Sequence, residues 1–395
     1  MQSLLAGVRV LDLTRVLAGP YASMVLADLG AEVIKVELPG QGDESRSFGP
    51  FQNGESAYYA SVNRGKKSIT VDMRDERGAA LVQRLAGECD VLVENFRPGS
   101  MDRFGLGYAQ LHQRYPRLVY ASISGFGQTG PYAQRPAYDV LIQAMGGLAS
   151  ITGEPSGAPV RVGSSIADLS AALFGAIGIL AALTRARESG AGQQVDISML
   201  DCQIALLENA LARYATSGEV PQPLGSRHPT ITPFQFFQAY DGYIVIAAGN
   251  DSLWRKLCTG LGLSELADDP RFIDNARRTE NHAVLEPLLA EALAAKSVAE
   301  WTALLGATGV PCGPLHDVGQ VFVDEQVVAR DMIIELEHPV AGRQMVANSP
   351  LKFSQTPVEL SAPAPLLGQH TDEVLCGLLG LCADELAALR GDGVI

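Results

Sequence analysis

The stretch Val8–Glu37, VRVLDLTRVLAGPYASMVLADLGAEVIKVE, decides the fold. Apolar Val8, Val10, Leu11 and Leu13 make a short strand. A loop follows from Thr14 to Pro20, and Pro20 suits the first position of a helix running to Leu29. Gly30 is a helix stop, and Glu32–Glu37 is a second strand. This β-α-β unit recurs downstream: Ser68–Asp72 reads as strand, Glu76–Gly87 as helix, and Asp90–Glu94 and Leu118–Ile123 as strands. Strands alternating with helices predict an α/β fold with a mostly parallel sheet covered on both faces. Ligands in such folds bind at the carboxyl ends of the strands.

Beyond the apolar stretch Leu169–Leu183 the character changes. Tyr214–Pro233 is rich in Pro, Gly, Ser and Thr, as a linker is. Phe234–Ala247 alternates around Asp241-Gly242, a hairpin signature. Helices are expected at Ser252–Gly260, His282–Ala295 and Val298–Leu305, and strands at Met332–Val340 and Gln344–Ala347. A second Pro-rich stretch, Pro350 to Pro365, precedes a final helical pair, Thr371–Leu379 and Ala383–Arg390. The expected organisation is a large domain over 1–213 and 339–395, interrupted by a small α+β domain over 226–325. Segments 214–225 and 326–338 serve as linkers.

Composition narrows the function. The 395 residues exceed what one core usually organises. A net charge of −14 disfavours nucleic acid as a partner. Six scattered cysteines without a C-x-x-C point to a reduced, cytoplasmic protein. Leu169–Leu183 is short for a membrane span, so no membrane is expected. The loop after the first strand lacks G-x-G-x-x-G, which argues against a dinucleotide enzyme. No G-x-S-x-G, H-E-x-x-H or Walker loop supports a serine hydrolase, zinc protease or nucleotide hydrolase.

The positive charge is uneven. Between Arg64 and Arg103 lie eight basic and seven acidic residues, a balance of +1 in a chain of −14. Within that window the segment Val93–Gly99 (VENFRPG) follows a strand. It reads either as a solvated face with a Pro-Gly turn or as a binding loop, which would offer an amide at Asn95, a stacking face at Phe96 and a phosphate partner at Arg97. Asp168 stands at the start of the apolar helix, either as an ordinary N-cap or as a carboxylate aimed into a crevice, where it is a nucleophile. Tyr138-Asp139 and Gly249-Asn250-Asp251 precede further helices as caps or as site residues, Gly249 and Asn250 offering donors to an oxyanion. His370 reads as structural.

Taken in order, Val10–Pro20, Gly30–Glu37 (GAEVIKVE), Asn63–Asp72 (NRGKKSITVD), Val93–Gly107 (VENFRPGSMDRFGLG), Ile166–Asp168 and Gly192–Met199 (GQQVDISM) resemble the class III CoA-transferases, the carnitine-dehydratase-like family. The resemblance runs from about Leu5 to the C-terminus and is greatest to the succinyl-CoA:glutarate and hydroxymethylglutarate transferases. It implies a Rossmann-like large domain built from both ends of the chain and an interlocked homodimer. It implies acyl-CoA and a small carboxylic acid as substrates, with neither a metal nor a nucleotide cofactor.

The same resemblance makes Asp168 the catalytic aspartate and Tyr138 an active-site tyrosine. Asn95, Phe96, Arg103 and Phe104 match CoA-contacting positions, and Arg74 a basic CoA-binding position. Leu38 stands where formyl-CoA transferases carry a basic residue, and Gly249-Asn250-Asp251 where they carry a run of glycines. The first departure removes a phosphate contact, and the second points away from an oxalate-specific enzyme. The likeness to the glutarate transferases, carried by Asp241–Asn250, Gly309–Pro314, Met332–Gly342 and Pro365–Thr371, suggests a dicarboxylate acceptor. Arg15, Tyr138, His228 and Gln235 are candidates to read its distal carboxylate. The competing readings are an α-methylacyl-CoA racemase, disfavoured because those enzymes resemble this chain but carry a His at the place of Tyr138, and a non-catalytic CoA-binding protein.

Overall fold

The computed structural model describes residues 3–360 and 362–395. The chain divides into two compact units. One comprises residues 1–148, 161–216 and 326–395, and the other 149–160 and 217–325.

The first unit is built on a six-stranded parallel sheet. Its strands are β1 (Arg9–Asp12), β2 (Glu32–Glu37), β3 (Lys67–Thr70), β4 (Val91–Glu94), β5 (Val119–Ser124) and β6 (Gln194–Ser198), in the order β3-β2-β1-β4-β5-β6. The chain builds outward from β1 to β3 on one side, then returns to β4 and builds outward on the other. Val10 pairs with Val33 of β2 and Val91 of β4. The reversal of direction therefore lies between β1 and β4, where open α/β sheets form their ligand crevice.

Alternation along the strands divides two cores. Val10, Val33, Val91, Val93, Ala121 and Ile123 face α1 (Ala18–Asp28) and a long helix over residues 166–189. Leu11, Ile34, Ile69 and Leu92 face α2 (Glu76–Gly87) and the C-terminal helices, through Leu85, Leu375 and Leu386. Pro20 sits in the first turn of α1 but not at its first position, because the helix opens at Ala18. Gly30, with φ +96°, follows the end of α1 and returns the chain to β2.

Two further helices shape the site: α3 (Asp139–Met145) and α4 (Ile166–Ser189). By length and composition α4 alone among the described helices could cross a membrane. Here it packs on the sheet. A Cβ at Gly178 would lie 2.7 Å from Val195 Cγ1 of β6, so only glycine permits that approach. The other face of α4 leaves Leu173, Phe174 and Ile177 exposed.

The second unit contains the expected hairpin, β7 (Phe234–Gln238) and β8 (Tyr243–Ala247), with β9 (Cys312–Pro314) added beside β8. Helices α5 (Asp251–Leu261), α6 (His282–Leu293) and α7 (Val298–Ala307) cover it through Trp254, Leu289 and Leu305. In the first unit the chain then forms an antiparallel pair, β10 (Ile333–His338) and β11 (Gly342–Ala347), and ends in α8 (Thr371–Leu379) and α9 (Ala383–Gly391). His370 is structural: its Nδ1 accepts the Ser68 N–H at 3.1 Å, and its own N–H donates to Ser68 O. Residues Glu208–Ser217 are helical, so helix extends into the start of the stretch read as linker.

Candidate active site

Two clefts open at the carboxyl ends of β1 and β4. One, of about 280 Å³, is lined by Arg15–Ala18, the loop Asn95–Pro98, Arg135, Tyr138 and Asp168. Beside it lies a second, of about 230 Å³, lined by Leu13, Leu38, Met73, Arg74, Phe96 and Phe104. Arg15, Glu44 and Phe96 line both, so the two clefts share a wall.

The loops on either side of the sheet reversal are sewn together by one side chain. Asn95 Oδ1 accepts the Arg15 N–H at 2.9 Å, and Asn95 Nδ2 donates to Arg15 O at 2.7 Å. The Arg15 guanidinium lies 4.6 Å over the Phe96 ring. Glu94 accepts the Phe96 N–H at 2.8 Å, and burial pushes its carboxyl up to about 7.

Asp168 is not an N-cap. Ser165 holds the cap position of α4, without a side-chain bond, and Asp168 sits in the first helical turn. The free N–H of Ala167 is taken by Asp139, which reaches across from α3 at 2.9 Å. Gln143 holds Asp139 at 2.8 Å and accepts the Val162 N–H, fastening the loop that leads into α4. With that donor taken, the half-buried Asp168 carboxylate has no hydrogen-bond partner among the described residues. Desolvation first, and the nearby Asp139 charge second, push it up to about 7. Burial first, and then the Asp168 charge, raise the Tyr58 phenol, which marks Tyr58 as a neighbour of Asp168.

Other predicted residues divide between clefts and surface. Tyr138 lines the Asp168 cleft with its side chain 70% exposed. Arg74 lines the second cleft, but its guanidinium is already paired with Asp72 at 2.7 Å. Phe104 lines the same cleft. Arg103 is exposed, bonds Ser100 Oγ at 3.2 Å and lines neither cleft. Gly249 and Asn250 lie in the second unit, where Asn250 Oδ1 caps α5 by accepting the Leu253 N–H. There too, Gln235 is held by Glu286 and His282, and His228 accepts the Thr230 N–H.

The local charge count needs correcting as a guide to free cations. Arg64 is paired with Asp28, Lys66 with Asp12, Lys67 with Glu32, and Arg77 with Asp75. Among the described residues, the guanidiniums left in the Asp168 cleft without a carboxylate are Arg97 and Arg135, the latter stacked 4.5 Å over Tyr132. Arg135 lies outside the counted window. Sequence reasoning also missed Asp139 as the cap of α4, because only the packing of α3 on α4 brings it there.

CoA-transferase family III matches residues 5–371. The chain belongs to the family III CoA-transferases. It is 42% identical to the succinyl-CoA:glutarate CoA-transferase of Mus musculus, over 99% of this chain and 90% of the mouse protein. It is 44% identical to the acetyl-CoA:oxalate CoA-transferase of Acetobacter aceti, over 88% of each. A CaiB/BaiF family protein from Brucella suis matches in structure with a TM-score of 0.85 and 41% identity, covering 96% of this chain and 100% of its own. This transferase therefore handles CoA thioesters. Among its described residues no cluster of His, Cys, Asp and Glu is placed to hold a metal.

Proposed function

We propose that this CoA-transferase moves CoA from succinyl-CoA to a free dicarboxylic acid, with Asp168 as the nucleophile. The observation that carries the reading is the Asp168 carboxylate itself: half-buried, without a hydrogen-bond partner, on a cleft that also presents Arg15, Arg97 and Arg135. A desolvated carboxylate is more basic than one in water, and hence a stronger nucleophile once ionised. The arginines suit a substrate that keeps a second carboxylate after the first has reacted. Relatives named for succinyl-CoA and glutarate support that substrate class.

In the proposed sequence an Asp168 oxygen attacks the donor thioester carbon, the C–S bond breaks, and CoA leaves as thiolate from a mixed anhydride. The thiolate attacks the aspartyl carbonyl, freeing the donor acid and leaving an aspartyl-CoA thioester. The acceptor carboxylate attacks that carbonyl and displaces the thiolate. Attack of the thiolate on the acceptor's acyl carbon then releases the new acyl-CoA and restores Asp168. Thioester energy is kept throughout, and exclusion of water protects the anhydrides. Arg74, Phe96 and Phe104 take the CoA along the second cleft, with Asn95 bracing the loop. Leu38 makes that cleft one basic contact poorer.

The exposed Leu173, Phe174 and Ile177 of α4 support a homodimer as the working form; the proposed form is the interlocked one, acting in the cytoplasm. Asp168→Ala, with hydroxylamine trapping of wild-type enzyme during turnover, tests the mechanism. Transfer at a normal rate by the variant, or no hydroxamate at Asp168, refutes it. A screen of succinyl-CoA against mono- and dicarboxylic acids tests the substrate class, and transfer to monocarboxylates alone refutes that part.

A further inference from the structure

We infer that Asp43 is a positioning residue for the transfer: its buried carboxylate clamps the Val16 backbone in a left-handed conformation and thereby fixes the Arg15–Ala18 wall of the Asp168 cleft. Val16 has φ +68°. A β-branched residue avoids that region strongly. Such conformations persist only where the surroundings hold them, and they gather at functional sites.

Here the hold is visible. The Val16 N–H points at both Asp43 oxygens, at 3.1 and 3.2 Å. Asp43 is itself immobile: Lys35 Nζ lies 2.8 Å away, and both side chains are completely buried. Ser45 donates its N–H at 2.9 Å and its hydroxyl at 2.8 Å to Asp43 Oδ1, and the Asp43 N–H donates to Glu37 at 3.0 Å. The same Lys35 donates to Thr14 O at 2.8 Å, so one buried cation ties the anchor to the loop it anchors.

The rest of the loop is equally committed. Asp12 accepts the Thr14 N–H, and Asn95 takes both backbone groups of Arg15. Val16 is the one residue of this run held against its own preference, and its clamp is Asp43. Asp43 borders the second cleft but not the Asp168 cleft, whereas Val16, Leu17 and Ala18 line the latter. A wall displaced by about 1 Å lowers turnover by about 100-fold without requiring weaker substrate binding.

Asp43→Asn, Val16→Gly and the double variant, as full-length protein, test the clamp. Val16→Gly serves as the probe because glycine adopts this backbone without strain. The inference rests on the transferase reading of the cleft, but the rescue is read within the variants and does not depend on Asp168 being the nucleophile. Asp43→Asn is expected to lower kcat by about 10- to 100-fold with KM for acyl-CoA within about threefold of wild type. The double variant is expected to recover to within about threefold of Val16→Gly alone. A double variant as impaired as Asp43→Asn overturns the inference, as does near-normal kcat in Asp43→Asn. If Asp43→Asn does not fold, Val16→Pro removes both the N–H and the left-handed φ while leaving the buried pair in place. In that variant, a kcat loss of more than about tenfold with an unshifted melting curve supports the clamp. Wild-type kcat overturns it.

Discussion

Asp168→Asn should make this protein more stable while abolishing its activity, and the gain should grow with pH. Burial and the Asp139 charge raise the Asp168 carboxyl from 3.8 to about 7. A carboxyl whose pKa is higher in the fold than in the unfolded chain contributes fully below the unfolded value. That contribution is lost as pH rises through the folded one. At about 1.4 kcal/mol per pH unit, the ionised carboxylate costs the fold about 2 kcal/mol at pH ~5.5 and about 4 kcal/mol at pH ~8. Asparagine fills nearly the same volume and cannot ionise. The variant should therefore gain about 2 kcal/mol on wild type between those two pH values, a relative shift of a few degrees in melting temperature. Thermal melts of both proteins at the two pH values provide the assay. A variant less stable than wild type at the higher pH, or an advantage that does not change with pH, refutes the reasoning. Asp168 would then be stabilised by its surroundings and not held against them.

Further outcomes follow from the same geometry. The kcat/KM for acyl-CoA should rise with pH through about 7 and then level, tracking Asp168 ionisation, and a profile flat across that range contradicts the assignment. Asp139→Asn keeps an acceptor for the Ala167 N–H but removes the neighbouring charge, so the inflection should move lower; an unmoved inflection assigns the shift to burial alone. Lys66→Met leaves Asp12 buried without its 3.0 Å partner and should lower stability by about 3–5 kcal/mol in urea unfolding. Arg135→Ala should raise KM for the dicarboxylate about 10- to 100-fold and leave KM for acyl-CoA nearly unchanged, and equal effects on both substrates would remove it from acceptor recognition.

Much of the large unit was legible because its strands carry strong local patterns. Val10 and Leu11, or Val33 and Ile34, point to opposite cores, and the helix Glu76–Gly87 has clear ends. The sixth strand, Gln194–Ser198, was not read as a strand. It lies at the sheet edge, mixes Gln, Asp and Ser with two apolar residues, and gains its character from pairing with Val119–Ser124. The motif-bearing residues Asp168 and Asn95 were legible as important, but their local work was not. Asp168 read as a possible cap, while the cap of its helix comes from Asp139 on another element.

The sequence by itself determined the alternation of strand and helix, the turn at Gly30 and the family, because each rests on residues near one another in the chain. Only the tertiary structure decided which charges are free. Lys35, Arg64 and Lys66 count as cations in the sequence, yet each is buried against a carboxylate from another segment. Arg97 and Arg135 are left open in the Asp168 cleft because no acid among the described residues is folded against them. The cleft itself exists because the sheet reverses between β1 and β4, bringing Arg15 against Asn95 from 80 residues away. Pairing over that distance depends on the whole core closing, and no local pattern encodes it.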